Sequence, residues 1–298
     1  MHPTFIGIGA PKSGTTWLAR CLGEHPSVFM SSMKEIEFWK HADACRRLDE
    51  YAHHFRQTER ASAIGEFSVR YLSLPGVPER IHAVFPRMKL IVALRNPIEQ
   101  VTSNFWHLNR QRFNLPPGEL GPQSVGEALA SDSHREFLLG PARYASHLER
   151  FYRLFPEEQI HVIRFEDIKA DPASVMRDLF GFLGVDLGFE PPSLLEKGAN
   201  VRKGTSPKNI HAAKIHEIIY GGLVNRVYNP LKQVIGVRRA SRLKDFLRVR
   251  HLMETLFMKK GYPELSHEDR KALNAEFKEE IGRLECLTGL CMQNWKES

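Results

Sequence analysis

Cysteine is scarce in these 298 residues, and none of Cys21, Cys45, Cys286 and Cys291 stands in a C-x-x-C pair or other metal-ligand spacing. That argues against a thiolate metal centre: no metal site is expected, and reduced thiols are the default. Cys286 and Cys291 are the one pair close enough in sequence to suggest a disulfide. Long apolar runs are also absent, none approaching the ~20 residues of a membrane-spanning helix. Met1 leads almost at once into the first predicted strand, leaving no room for a secretory leader, so a cytoplasmic enzyme is the expectation. No internal repeat or low-complexity segment stands out. Lys and Arg exceed Asp and Glu by 42 to 35, a net charge of +7. Such a balance suits an anionic ligand, a nucleic acid, or a basic surface with no dedicated partner. Neither a nucleic-acid motif nor an aromatic-interleaved basic stretch accompanies it, so nucleic acid is not expected as a partner.

What the chain does have is concentrated between Phe5 and Trp17, where it reads FIGIGAPKSGTTW. An apolar run ends in small residues, and Thr15 opens an amphipathic helix with Leu18 and Leu22 inward. A strand turning through a Gly-rich loop into a helix N-terminus aims backbone N–H groups and the positive end of the helix dipole at one spot, which suits a phosphate. A Walker A loop is G-x-x-x-x-G-K-[ST]; from Gly9 this chain gives G-x-x-x-x-G followed by Thr15 and Thr16, with the lysine moved inside the loop to Lys12. The strand at 89–94 likewise ends in Arg95 rather than in the Asp that would hold Mg²⁺ in a P-loop NTPase. Asn96 and Pro97 then read as N-cap and first residue of a helix, and Ser103 follows about two turns later. A guanidinium at a strand end with a hydroxyl on the next helix suits a second anionic group. A P-loop kinase of nucleotides or small molecules is the alternative reading, and it lacks both its lysine and its metal ligand here.

Short apolar segments at 4–9, 28–31, 63–67, 89–94 and 160–164 read as buried parallel strands. Helices are predicted at 15–24, 78–84, 98–109, 143–154 and 172–183, the last capped by Asp171 and stopped by Gly184. The alternation predicts an α/β fold: a single P-loop-like domain over 1–298, with a central parallel sheet, helices on both faces, and ligands at the carboxyl ends of the strands. Segment 110–126, rich in Pro and Gly, reads as a long loop. Segment 204–262 is basic and weakly patterned, around Arg238-Arg239-Ala240-Ser241-Arg242-Leu243-Lys244. It fits a surface helix, a substrate lid or acceptor-site wall, or a patch making peripheral membrane contact. Beyond it, Leu273, Phe277, Ile281 and Leu284 recur at helical spacing after a Ser266/Asp269 capping pattern.

The loop Pro11-Lys12-Ser13-Gly14-Thr15-Thr16-Trp17 resembles the 5′-phosphosulfate loop of sulfotransferases that use 3′-phosphoadenosine 5′-phosphosulfate (PAPS). Leu94-Arg95-Asn96-Pro97 with Ser103 is similar to their 3′-phosphate site. Lys34-Glu35 followed by Phe38-Trp39 resembles the signature of the heparan-sulfate-type branch. Gly65-Glu66-Phe67-Ser68 before Tyr71, Arg164-Phe165-Glu166-Asp167 and Arg202-Lys203-Gly204 follow in the family's order. The resemblance covers essentially the whole chain, and its first two motifs together are specific.

That resemblance implies PAPS as donor, no metal, and sulfuryl transfer by in-line displacement to a hydroxyl, or to an amine. Lys12 would stabilise charge growing on the bridging oxygen, with Ser13, Gly14, Thr15, Thr16 and Trp17 holding the 5′-phosphate. Arg95 and Ser103 would clamp the 3′-phosphate, with Arg202, Lys203 and Gly204 closing over it. Glu35 would be the base, close to the first-strand loop if the first two strands neighbour. His107, one turn beyond Ser103, is the rival, because another branch uses histidine. Heparan-sulfate-type enzymes often carry His where this chain has Glu37, and Lys where it has Phe67. That departure disfavours a highly sulfated polysaccharide and leaves Arg70 and Lys40 for a modestly anionic acceptor. A glycan, glycolipid or small hydroxylated molecule all remain open as the acceptor.

Overall fold

A computed structural model describes residues 2–56, 61–110, 122–194, 205–207 and 258–296. The described residues divide into two compact units. The first comprises Met1–Val101, Arg135–Arg202 and His267–Ser298, and the second Thr102–His134 and Lys203–Ser266.

The first unit is built on five parallel strands: β1 (Phe5–Gly9), β2 (Val28–Met30), β3 (Ala63–Phe67), β4 (Lys89–Leu94) and β5 (Ile160–Arg164), in the order β2-β3-β1-β4-β5. The apolar runs form strands because both faces of the sheet are covered, so no alternation is needed. β1 and β3 are buried throughout. β1 pairs with β3 on one side and β4 on the other, with Gly7 opposite Phe67 and Ile91. Two glycines make this centre possible. A Cβ on Gly7 would lie 2.1 Å from the Phe67 ring, and one on Gly65 would lie 2.4 Å from the Phe5 ring.

Helices α1 (Thr15–Glu24), α2 (Leu48–Ala52), α3 (Val77–Val84), α4 (Pro97–Arg110), α5 (Val125–Leu129), α6 (Asp132–Leu139), α7 (Tyr144–Tyr152), α8 (Phe165–Ala170) and α9 (Pro172–Leu183) follow in chain order, then α10 (His267–Thr288) and α11 (Gln293–Lys296). Leu18 and Leu22 of α1 join Val175, Met176, Leu179, Phe180 and Leu183 of α9 in one cluster with the strands. Burying each such side chain contributes about 1.5–3 kcal/mol before the entropy of ordering it is set against that gain. Asp171 caps α9 by accepting the Ser174 N–H at 3.0 Å, and Gly184 ends it in the left-handed region.

Elsewhere α10 packs along α7, with Leu273, Phe277, Ile281 and Leu284 buried. Glu280 lies in that seam, its Oε1 accepting the Ser146 N–H at 2.8 Å in the first turn of α7. A carboxylate there meets the helix's unpaired N–H groups and its positive dipole end.

In the second unit β6 (Thr205–Pro207) pairs antiparallel with β7 (Met258–Lys260). Trp106 stacks on Tyr262, with centroids 6.2 Å apart. α5 begins at Val125 inside the span expected to be loop. Ser124 Oγ accepts the Glu127 N–H at 3.1 Å while Glu127 Oε2 accepts the Gln123 N–H at 2.7 Å. That reciprocal cap outweighs the glycine at 126.

Residues 111–121 and most of 204–262, including the Arg238–Lys244 run, lie outside the described residues. No described helix is long and apolar enough to cross a membrane.

Candidate functional site

The loop after β1 enters α1 through Gly14, whose φ is 85°, and the cap has no side-chain hydrogen bond. Gly14 O receives the Trp17 and Leu18 N–H groups at 2.9 and 3.1 Å. No side chain therefore caps the first N–H groups of α1, and this is the condition that suits them to an anion. Gly14 is required twice over, by its φ and by Phe165, whose ring carbon would lie 3.0 Å from a Cβ there. Lys12 also adopts a left-handed backbone, with φ at 67°. Two side chains hold the loop's carbonyls: Gln100 Nε2 donates to Pro11 O at 3.3 Å, and Arg95 Nη1 to Lys12 O at 3.5 Å.

Arg95 is thus drawn to the loop from the end of β4. Its guanidinium lies 4.9 Å from the Phe165 ring centroid and pairs with Glu99 at 3.0 Å. The helix-end ion pair that competes with an anion-binding role is therefore formed in this structure. Asn96 begins α4 as expected, its Oδ1 accepting the Ile98 N–H at 2.9 Å, and its own N–H is accepted by Glu166 at 3.3 Å.

Buried polar atoms with no hydrogen-bond partner among the described residues gather around this loop: Ser13 Oγ, Trp17 Nε1, Arg95 Nε, Gln100 Oε1, Tyr144 OH and Glu166 Oε2. Burial raises the Tyr144 phenol, opposed by the nearby Arg95 charge. Unmatched buried donors and acceptors are costly and rare unless something polar meets them. A nucleotide fits this set: hydroxyl, indole and guanidinium donors suit phosphate oxygens, and the carboxylate and amide oxygens suit hydroxyl or amino groups.

Glu35 sits beyond β2 with a φ of 62°. The condition that the first two strands neighbour is not met, because β3 lies between β2 and β1. The segment reaches the strand ends another way, because the Glu35 N–H donates to Phe67 O at 2.8 Å and Phe67 is paired with Gly7 of β1. One Glu35 carboxylate oxygen accepts the Val69 N–H at 2.8 Å, and the other pairs with Lys34.

Beneath this segment lies a residue whose role the sequence did not reveal. Glu66 on β3 is fully buried and accepts three hydroxyls: Ser68 at 2.7 Å, Tyr51 at 2.9 Å and Tyr71 at 3.1 Å. Two of these donors reach on to the Glu35 segment. Ser68 Oγ accepts the Glu37 N–H at 3.0 Å, and Tyr71 OH accepts the Trp39 N–H at 3.2 Å. Burial pushes Glu66 up to about 7, and the nearby Glu35 charge adds to that rise while the hydroxyls oppose it.

The two cations expected to face an acceptor are engaged. Glu37, with φ at 52°, accepts Lys40 at 2.7 Å and pairs with Arg70 at 3.5 Å. Lys12, Glu35 and Arg95 belong to the first unit, Ser103 and His107 to the second, with Ser103 buried and His107 half-buried on α4. Arg202, Lys203 and Gly204 fall outside the described residues. Gln100, Tyr144 and Phe165 could not be assigned to the loop from sequence. No spacing links them to it, although Phe165 stands within the Arg164-Phe165-Glu166-Asp167 motif. Arg164 itself braces the fold, gripping Asp167 at 2.7 and 2.8 Å and donating to Cys291 O at 2.6 Å.

Comparison with known proteins agrees on a family. Residues 2–214 match the family model described as the Sulfotransferase domain. Human bifunctional heparan sulfate N-deacetylase/N-sulfotransferase 3 is 30% identical over 200 residues, covering 61% of this chain and 22% of that protein. The chain therefore spans about a fifth of that relative's length. The membrane-associated sulfotransferase kil1 of Dictyostelium discoideum is 27% identical over 280 residues, covering 65% of this chain and 59% of that protein. The crystal structure of a sulfotransferase from Alicyclobacillus acidocaldarius superimposes with a TM-score of 0.69 over 99% of both chains at 24% identity, a likeness of fold.

Proposed function

This chain belongs to the sulfotransferase domain family, and from that premise we propose that it transfers a sulfuryl group from PAPS to a hydroxyl or amine of a carbohydrate, lipid or small-molecule acceptor. The observation that carries the reading is the loop itself. Its lysine stands inside the turn, its helix N-terminus has no side-chain cap, and Arg95 bonds to the lysine's own carbonyl.

When bound, the donor supplies the sulfuryl group and a phosphate leaving group. Lys12 neutralises charge developing where the leaving phosphate separates. Ser13, Gly14, Thr15, Thr16 and Trp17 hold the 5′-phosphate through N–H groups and side chains. Arg95 holds the 3′-phosphate by giving up Glu99. Ser103, Arg202, Lys203 and Gly204 are assigned to that phosphate on the family resemblance alone. Glu35 takes the acceptor's proton; its oxygens keep lone pairs beyond those used by Val69 and Lys34. The whole chain acts as one sulfotransferase domain in this reading.

Calorimetric titration with 3′,5′-adenosine bisphosphate and with adenosine 5′-phosphate tests the donor site. Clear preference for the bisphosphate is expected, and equal affinities would remove the 3′-phosphate clamp. A PAPS-dependent screen over sugars, lipids and alcohols, read as a mass gain of one sulfuryl group, then tests turnover.

A further inference from the structure

Resting on the reading of Glu35 as the base, we infer that Glu37 sets the charge of acceptor this site accepts: it occupies both Lys40 and Arg70 and cancels one of their two charges, and so favours a neutral acceptor group over a sulfated or carboxylated one. Among the described residues, the ion pairs at this position are these. Lys34 is held by Glu35, and Lys40 and Arg70 both converge on Glu37. Glu37 is the least exposed of its trio, its side chain 17% exposed against 40% for Lys40 and 58% for Arg70. The carboxylate is the fixed inner member, and the two cations fold onto it from the solvent side.

The backbone holds Glu37 in place. Its N–H is bound by Ser68 Oγ, itself held by Glu66, and its φ is left-handed. These contacts fix the backbone from which the carboxylate projects toward both cations. An anionic acceptor would have to compete with a carboxylate already in contact with both cations, and it would meet the Glu37 charge itself. A neutral acceptor meets neither obstacle.

The test uses the whole chain saturated with 3′,5′-adenosine bisphosphate, titrated with a sulfated heparin tetrasaccharide and with uncharged chitotetraose. Glu37→Gln should bind the heparin probe about tenfold more tightly than wild type, because two cations are released. The gain should vanish in the triple variant Glu37→Gln/Lys40→Met/Arg70→Met, and chitotetraose affinity should stay unchanged. If Glu37→Gln shows no gain, or if the gain survives in the triple variant, the inference is wrong. Affinity for the bisphosphate, measured in the same samples, reports separately on the donor reading: its absence in wild type would sink that reading whatever the heparin result.

Discussion

Glu66→Gln is the substitution whose consequence can be worked furthest from the structure. Glutamine keeps the shape of the side chain and resembles the protonated acid: its oxygen can accept Tyr51 and Tyr71, and its NH₂ can face Ser68. What it removes is ionisation. Burial raises Glu66 from 4.5 to about 7 in the folded protein. A carboxyl group with a raised folded pKa contributes its full stability below its unfolded value and loses it as pH rises through the folded one. Each tenfold change in proton affinity between the folded and unfolded chain is worth about 1.36 kcal/mol. Wild type should therefore lose roughly 2–3 kcal/mol relative to the variant between about pH 5 and 8. Urea unfolding of both proteins at half-unit pH intervals across that range is the assay, because other titrating groups cancel in the difference. The difference curve should be flat above about pH 8 and should bend near 7. Parallel stability profiles would show that Glu66 does not titrate there, and that its three hydroxyl donors hold it ionised.

The site assignments give three further outcomes. Lys12→Met should lower kcat by about 10²–10³ with the melting temperature unchanged, measured by mass-detected turnover. Glu35→Gln should lower kcat by about 10²–10⁴ while affinity for 3′,5′-adenosine bisphosphate is kept; if His107→Ala does this and Glu35→Gln does not, the base is His107. A thiol reagent should titrate Cys45, Cys286 and Cys291 in the native protein and Cys21 only after unfolding, since none of the four is in a disulfide and only Cys21 is buried. A count of one fast thiol would mean that Cys286 and Cys291 are joined.

The strands were legible because burial on both faces imposes one simple demand, a short unbroken apolar run. The expected 63–67, 89–94 and 160–164 are the strands observed. Their order was not legible, since nothing local tells β2 that β3 will separate it from β1. Helix ends moved by a residue or two where capping is only approximate in sequence, as at Val77 and Tyr144. The start of α5 is written in Ser124 and Glu127, but the neighbouring prolines and glycines carry the stronger signal for a loop. In the site, the loop and Glu35 were visible because their residue types form a motif. The supports were not: Gln100, Tyr144 and Phe165 reach the loop only through the fold. Tyr51 meets Glu66 from a short helix packed among Phe38, Trp39 and Phe55. The sequence offered Lys40 and Arg70 as free cations because the bond that occupies them depends on where Glu37 points.

Among the described residues, Lys12, Glu35 and Glu37 are the non-glycine positions with positive φ. Each costs about 1–2 kcal/mol that glycine would not. Any search for hardier versions of this protein, by heat challenge or by yield, will therefore be drawn toward glycine at these three places. It would gain robustness by discarding the side chains to which catalysis and acceptor choice are assigned here. Selection for durability and selection for turnover pull these three codons in opposite directions, so a thermostability screen of this protein has to score product as well as survival.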